Sequence, residues 1–444
     1  MCICAIIKKS LLGDSMKNTV TYQKTLPLLG HYDVVVLGGG PSGVCAAIEA
    51  ARNGARVLLA EATGMLGGMA TSGLVGPFMT SYDGSGERPV VGGIFREVCE
   101  RLNSKGGAIL PENTDAPSIH TSFIAQYHRH VTPIDSFLLQ ITLDEMVNEA
   151  GVKTMLYTRA ADAICENGRI KGVVVAALEG LAVIEGDVFI DCTGNADVAF
   201  AAGVPTWKGE EQSGVPQPGT LMFEINGVDD ERYTARPAHY PVKAYRTPQK
   251  GVYKVNHFHV FNTDAASSES MTKGHMEARR QVLDAYNILR TETPGFEECA
   301  IKDVASVLGI RESRHIEGRY KLTVSDIYSG RRFDDRIASY AFGMDVHPRD
   351  PSQSGNFKVK TASVYYIPYR SMLPMGCDNL IVAGKTVCCE SQAAGGLRVM
   401  PCAMAIGQAA GAAAYISVSD KCAPCDVPTE KLHSLLLAHE AILD

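Results

Sequence analysis

Asp33-Val-Val-Val-Leu37, Gly38-Gly-Gly-Pro-Ser-Gly43, Val44-Cys-Ala-Ala-Ile-Glu-Ala-Ala-Arg52 and Arg56-Val-Leu-Leu-Ala60-Glu61 stand close together near the start of the chain. The first run is short, apolar and β-branched, which suits a parallel strand buried on both faces. The third is rich in alanine and stops near Gly54, as a helix with its end signal does. Arg56–Ala60 reads as a second strand, so the stretch is one βαβ unit. Gly38, Gly40 and Gly43 form G-x-G-x-x-G between strand and helix. Gly38 permits the tight turn, Gly40 lets backbone approach a pyrophosphate, and Gly43 allows close helix–strand packing. Pro41 suits the first helical turn, where its missing N–H costs nothing. The free N–H groups of that turn, around Ser42, attract phosphate. Glu61 closes the second strand, followed by Ala62, and a carboxylate there accepts ribose hydroxyls and repels a 2′-phosphate. Dinucleotide binding is the expectation.

Outward from this unit, alternation of elements continues. A helix is expected from Gly93 to Leu102 and another from Phe137 to Ala150, stopped by Gly151. Val152–Tyr157, Ala160–Glu166, Ile170–Leu178, Leu181–Glu185 and Val188–Ile190 read as strands, with Asn167-Gly168 as a hairpin turn. After Val204, residues 205–250 are rich in proline and charge. Strands near Leu221–Ile225 and Tyr253–Phe261 and a helix near Met271–Arg290 follow. The α/β pattern returns with Leu380–Ala383 and a long Ala/Gly-rich helix from about Pro401 to Ile416. The first domain is therefore expected to be discontinuous: 1–30 an extension, 31–205 its first part, 206–362 an insertion, 363–444 its second part.

A chain of 444 residues exceeds the roughly 250–300 at which single cores stop growing. Lys and Arg number 42 against 49 Asp and Glu, a net charge of −7, and no long basic run suggests a nucleic acid. No apolar run reaches the ~18 residues of a membrane span. Met1-Cys-Ile-Cys-Ala-Ile-Ile is cut off by Lys8 and Lys9 and makes a poor signal peptide. The 13 cysteines are odd in number and irregularly spaced, which points to reduced thiols in a cytoplasmic protein.

Leu66-Gly-Gly-Met-Ala-Thr71, Asp191-Cys-Thr-Gly-Asn-Ala-Asp197, Gly309-Ile-Arg-Glu-Ser-Arg-His315, Asn379-Leu-Ile-Val-Ala-Gly384, Gly396-Leu-Arg-Val-Met-Pro401 and Gly407-Gln-Ala-Ala-Gly411, together with the glycine motif and Glu61, resemble the FAD-dependent oxidoreductase family. That family lies within the glutathione-reductase-like flavoproteins. The resemblance runs from about residue 31 to 416. It implies a doubly wound parallel-sheet α/β domain of FAD/NAD(P)-binding type, with an inserted α+β substrate domain and FAD as cofactor. Gly38, Gly40, Gly43 and Glu61 would hold the ADP half. Gly67, Gly68, Met69, Ala70 and Thr71 would line the path to the flavin, and Thr193 and Gly194 would close over it. Gly384 and a turn at Gly396-Leu397-Arg398 would meet the ribityl chain and pyrimidine edge. The chain departs from the family pattern at Lys385 and His315, where arginine is common.

Candidate catalytic residues are Arg398, Arg311, Arg314 and His257. Arg398 could place positive charge at the N1–O2 edge of a reduced flavin, or could pair with a local carboxylate. Arg311 or Arg314 could hold a substrate carboxylate or carbonyl bidentately, or sit in a salt-bridged segment. His257 and His259 alternate on an expected strand and would share one face, where a histidine could take a proton. His120, His128 and His130 lack metal-ligand spacing, and no metal is expected. Cys388-Cys389 and Cys422/Cys425 leave open a thiol–disulfide enzyme, and a non-catalytic flavoprotein is a further alternative. The favoured function is hydride transfer between flavin N5 and a small polar organic substrate, with the electron donor or acceptor open and neither nucleic acid nor membrane as partner.

Overall fold

The computed structural model describes residues 20–114, 129–233, 242–352 and 364–444, with the backbone of 357–359. His120, His128 and most of the expected N-terminal extension lie outside these residues. The βαβ unit forms from β1 (Leu28–Leu37), α1 (Pro41–Arg52) and β2 (Val57–Ala60). It is followed by β3 (Lys153–Met155), β4 (Arg159–Glu166), β5 (Arg169–Ala177) and β6 (Gly180–Asp191). One seven-stranded sheet runs β3-β2-β1-β6-β5-β4, with Leu380–Val382 also paired to β6. The pairs β3·β2, β2·β1, β1·β6 and β6·Leu380–Val382 are parallel. The pairs β6·β5 and β5·β4 are antiparallel.

The two strands expected at Leu181–Glu185 and Val188–Ile190 are one. Glu185 pairs with Gly172 of β5 and with His31 of β1, while Ile190 pairs with Val36 and Ile381. The polar Glu-Gly-Asp stretch at 185–187 looks like a break, yet it is where one edge of β6 passes from antiparallel β5 to parallel Leu380–Val382 while β1 stays paired along the other edge. Asn167 and Gly168 both have positive φ, 51° and 73°, which a two-residue hairpin turn requires.

Every residue of Val34–Leu37 is at most 1% exposed, and the two faces feed different cores. Val34 and Val36 pack with α1 and the helix Met400–Asp420, while Val35 and Leu37 pack with Val173, Ile184 and Ala199. Burial on both faces is why this run is apolar without alternation. The helix Met400–Asp420 is long and apolar enough to cross a membrane by length and composition, with 78% of its apolar window buried. Its composition follows from its neighbour. A Cβ on Gly407 would stand 2.1 Å from the Ser42 carbonyl oxygen, and one on Gly411 2.3 Å from that of Ala46. Only small residues permit α1 to lie this close.

A second layer is an antiparallel sheet in the order Ala300–Val304, Phe223–Asn226, Tyr253–Val255, Ala244–Arg246. The helix Ser268–Glu292 covers it with Gly274, Ala278, Val282, Ala285 and Leu289, one face at helical spacing. Its N-terminus is capped by the Ser267 side chain, which accepts from the Ser270 N–H. Phe223, Ile225, Tyr253, Val255 and Phe296 form this layer's own core. Of the stretch expected as one insertion, 221–308 builds that core, whereas Leu322, Ile337, Tyr340 and Met344 join the core of the first layer. The strand expected to reach Phe261 ends at Val255. His257 and His259 therefore do not alternate on a strand.

Candidate cofactor and substrate site

The glycine turn is built by the absence of side chains. Gly38 has φ +100°, and a Cβ on it would lie 2.4 Å from the Cys192 carbonyl oxygen at the end of β6. A Cβ on Gly43 would lie 1.8 Å from the Gly38 carbonyl oxygen. At Gly40 a Cβ would meet nothing within 4 Å. Gly40 is the N-cap of α1, with Pro41 in the first turn and no side-chain cap. The leading N–H groups of α1 thus lack an intrahelical partner, and the positive end of the helix faces open space. A pyrophosphate fits this cradle by charge and by shape.

The other candidate residues converge on the same point. Glu61 is 8% exposed. Its carboxylate accepts from the Gly39 N–H at 2.7 Å and from the Thr63 N–H and hydroxyl at 2.7 and 2.8 Å. Ala62 beside it is exposed. The Gly67 N–H donates to the Gly39 carbonyl at 2.8 Å, and a Cβ on Gly68 would stand 2.9 Å from Gly40 Cα. Thr71 closes that turn by donating to the Leu66 carbonyl at 2.6 Å, and the Ala70 carbonyl accepts from the Ser136 hydroxyl at 2.7 Å. The Thr193 N–H and hydroxyl donate to Asp191 Oδ1 at 3.0 and 2.7 Å. Asp191 is fully buried, which pushes its carboxyl up from the ordinary range, and the Ala199 N–H donates to its other oxygen. Gly194 has φ +73° and Gly384 φ +88°, and a Cβ on Gly384 would approach Ser42 Oγ to 2.7 Å. Gly396 and Leu397 do not form the expected turn. They lie in the helix Ser391–Leu397, Leu397 is buried, and a Cβ on Gly396 would stand 2.5 Å from the Tyr365 hydroxyl. That segment is held by packing.

Arg398 follows that helix and enters a cavity of about 180 Å³ between the two layers. Met69, Lys385, Arg398 and Met400 line it from the first layer. Met222, Tyr245 and Asn256 line it from the second, and Arg311, Phe342, Asp345 and His347 complete it. Arg398 Nη2 donates to the Asp345 carbonyl at 2.9 Å and to Asp345 Oδ2 at 3.1 Å, while its buried Nε has no partner. The reading of Arg398 as paired with a local carboxylate is thus realised inside the cavity itself. His347 Nε2 lies 3.0 Å from Asp345 Oδ2, and its Nδ1 lies 2.8 Å from His259 Nε2. Arg311 Nη1 donates to the Pro218 carbonyl at 2.8 Å and the Thr220 hydroxyl at 2.7 Å. Lys385 Nζ donates to the Ile310 carbonyl at 2.8 Å.

Burial dominates the electrostatics. It pulls Lys385 down to about 8, helped by Arg398, and Arg311 down to about 9, again with Arg398 adding. Burial and then Arg311 lower both His347 and His259 to about 3, so both imidazoles are neutral at physiological pH. Burial opposes the charge on Asp345, yet His347, Arg398 and Arg311 together hold its carboxyl well below the usual range.

Other candidates lie elsewhere. Arg314 donates to Asp197 Oδ1 at 2.9 Å and the Asn195 carbonyl at 3.2 Å, and it stacks over Phe200 at 4.1 Å. It braces the loop after Gly194 and does not reach the cavity. His257 rests against Phe258 and does not line the cavity, and burial and Lys243 lower it to about 4. His315 is buried and stacked on Trp207 at 4.5 Å. His130 stacks on Tyr82. Cys388, Cys389, Cys422 and Cys425 are free thiols, and none lines the cavity. Among the described residues no group of three or more His, Cys, Asp or Glu could hold a metal. Tyr245, Asn256, Asp345 and His347 line the cavity without having stood out in the sequence. The signal available was the period of two in Asp345-Val-His347, which turns both side chains to one side of the chain where the strand Met344–Val346 ends.

A model of the family described as FAD dependent oxidoreductase matches residues 33–436. Digeranylgeranylglycerophospholipid reductase of Methanoculleus marisnigri is 27% identical over 179 residues, 40% of this chain and 42% of the reductase. Dihydrolipoyl dehydrogenase of Trypanosoma brucei brucei is 47% identical over 47 residues, 11% of this chain and 10% of the dehydrogenase. The chain therefore spans well under half the length of either curated relative. Among solved structures, p-nitrophenol 4-monooxygenase PnpA from Pseudomonas putida DLL-E4 is 11% identical and aligns with a TM-score of 0.50, covering 92% of this chain and 85% of PnpA. That likeness is one of fold. With the matched model spanning nearly the whole chain, the protein belongs to the FAD-dependent oxidoreductase family, whose cofactor is FAD.

Proposed function

We propose that this protein is an enzyme that transfers a hydride between a small polar organic substrate and N5 of a bound FAD. Bound FAD supplies the two-electron chemistry. The chain supplies the rest. The open N-terminus of α1 binds the pyrophosphate, Glu61 takes the ribose hydroxyls, and Thr193 and Gly194 close over the cofactor. Arg398, paired with Asp345, would supply positive charge to the anionic edge of a bound flavin. Met69, Met222, Phe342 and Met400 keep water from the reacting atoms. Neutral His347, engaged through both ring nitrogens by Asp345 and His259, orients the Asp345 carboxylate. In this reading the seven-stranded sheet is the doubly wound, glutathione-reductase-like FAD domain, and the second layer is the inserted substrate domain. The free thiols support a cytoplasmic setting, and the partner is a small molecule, with no nucleic acid or membrane involved.

The observation that carries the proposal is the cavity. It opens where the Met69 turn, Lys385 and Arg398 meet the second layer, and it gathers the polar side chains a substrate would need. The test is to load the purified protein with FAD and screen alcohols, sugar derivatives, carboxylic acids and amines for anaerobic bleaching of the flavin. Binding of NAD in place of FAD would overturn the proposal. So would a protein whose cysteine pair takes up two electrons beyond those that bleach the flavin, and which loses turnover when Cys388, Cys389, Cys422 and Cys425 become serine.

A further inference from the structure

The lining of the cavity carries more cations than carboxylates among the described residues. Among the described residues that line it, Arg311, Lys385 and Arg398 are cations and Asp345 is the carboxylate. Arg398 pairs with that carboxylate. Lys385 donates to a backbone carbonyl. Arg311 is 9% exposed and makes its hydrogen bonds through Nη1, to a carbonyl and a hydroxyl. No carboxylate among the described residues forms an ion pair with it.

Burying a guanidinium without a counter-charge is costly, and arginine resists shedding its proton. Burial correspondingly weighs against the charge on Arg311 more than any other influence. The two bonds through Nη1 lock the plane of the group. They leave Nε and Nη2, two parallel donors that match the two oxygens of a planar anion.

Two anions could meet such a cavity: the edge of a reduced flavin and a carboxylate on the substrate. The placement of the cations separates them. Arg398 sits beside Val399, the N-cap of the helix Met400–Asp420, which lacks a side-chain cap. It therefore belongs to the layer that carries the glycine turn. Arg311 is tied to Pro218 and Thr220, which lead into the second layer. The volume of about 180 Å³ is below the roughly 300–1,000 Å³ of pockets for drug-sized ligands and suits a small ligand. We propose that Arg311 is a substrate anchor and that the substrate is a small carboxylic acid bound as its carboxylate. This rests on reading the cavity as the oxidoreductase site.

The experiment uses the FAD-loaded protein and measures binding by calorimetry and by perturbation of the flavin absorbance. Lactate, malate, mandelate and benzoate are compared with their amides. At least one acid should bind about tenfold or more tightly than its amide, the gain of a charge-assisted pair. That comparison needs no variant. Arg311→Met should abolish the preference while FAD affinity stays within about threefold of wild type, and Arg311→Lys should restore part of it. Amides that bind as well as acids, or no acid binding at all, overturn the proposal. So does an Arg311→Met protein that loses FAD but keeps the acid preference, because the anion served would then be the cofactor's. A protein that takes up no FAD fails the oxidoreductase reading itself, and the two failures are distinct.

Discussion

Replacing Gly43 by alanine places a Cβ 1.8 Å from the Gly38 carbonyl oxygen and 3.1 Å from Cys192 Cβ. Ordinary contact begins near 3.4 Å, so the helix start must move by more than an ångström. It has nowhere to go. On its other side the Ser42 carbonyl oxygen stands where a Cβ of Gly407 would be, 2.1 Å from that position. Overpacking costs about 1–3 kcal/mol, and an obstacle made of backbone on both sides puts Gly43→Ala near the upper end, about 3 kcal/mol. Gly40→Ala is the contrasting change. Its Cβ meets nothing within 4 Å and its φ is −71°, so only the weaker N-cap preference is lost, under about 1 kcal/mol. That same Cβ points at the space where backbone must meet pyrophosphate, and FAD affinity should fall about tenfold or more. Urea unfolding of the FAD-free proteins and fluorescence titration with FAD separate the two effects. A Gly43→Ala protein as stable as wild type would refute the packing account. A Gly40→Ala protein that binds FAD normally would place the cofactor elsewhere.

Lys254 is 1% exposed and faces Glu224 at 3.5 Å and the Ser136 hydroxyl; burial pulls it from 10.5 down to about 8. The unfolded chain then holds more protons between those values, so this lysine's contribution to stability is present above pH 10.5 and lost as pH falls through 8. Relative to Lys254→Met, wild type should gain about 3 kcal/mol between pH 7 and 10.5, read from urea midpoints, and a flat difference would contradict this. Arg398→Met should lower the flavin reduction potential by about 30 mV for each ~1.4 kcal/mol of charge stabilisation lost, and an unchanged potential would leave Arg398 as the partner of Asp345 alone. Iodoacetamide on the native protein should reach the exposed Cys165 first among the described cysteines, and Cys45, Cys99, Cys192, Cys389 and Cys402 only after unfolding. Native labelling of Cys389, mapped by mass spectrometry, would reopen a redox role for the 388–389 pair.

The turn from Leu37 to Gly43 was legible because its constraints are local. A glycine is required wherever a side chain would strike the next carbonyl, and strand, turn and helix succeed one another within a short span. The same locality made the Asn167-Gly168 hairpin and the Ser268–Glu292 helix readable. Where a motif's surroundings matter, local reading failed. The 185–187 stretch looks like a gap between strands until β5 and β1 flank it. Gly396 and Leu397 resemble a flexible turn until Tyr365 fills the space in front of them. Arg311 and Arg314 lie three residues apart in one motif, and nothing in that motif tells them apart.

The chain by itself determined that a parallel sheet would carry a phosphate-binding helix start, because hydrophobic period and glycine placement act between near neighbours. Tertiary structure alone decided which cations meet in the cavity. Lys385, Arg398, Arg311 and the Asp345–His347 pair come from separate segments, and their mutual distances depend on how two layers close on one another. Their protonation states depend on it as well. Burial and the distant Arg311 make His347 neutral, Arg398 and Arg311 join neighbouring His347 in keeping Asp345 charged, and no carboxylate among the described residues pairs with Arg311; no spacing within any one segment encodes that whole balance.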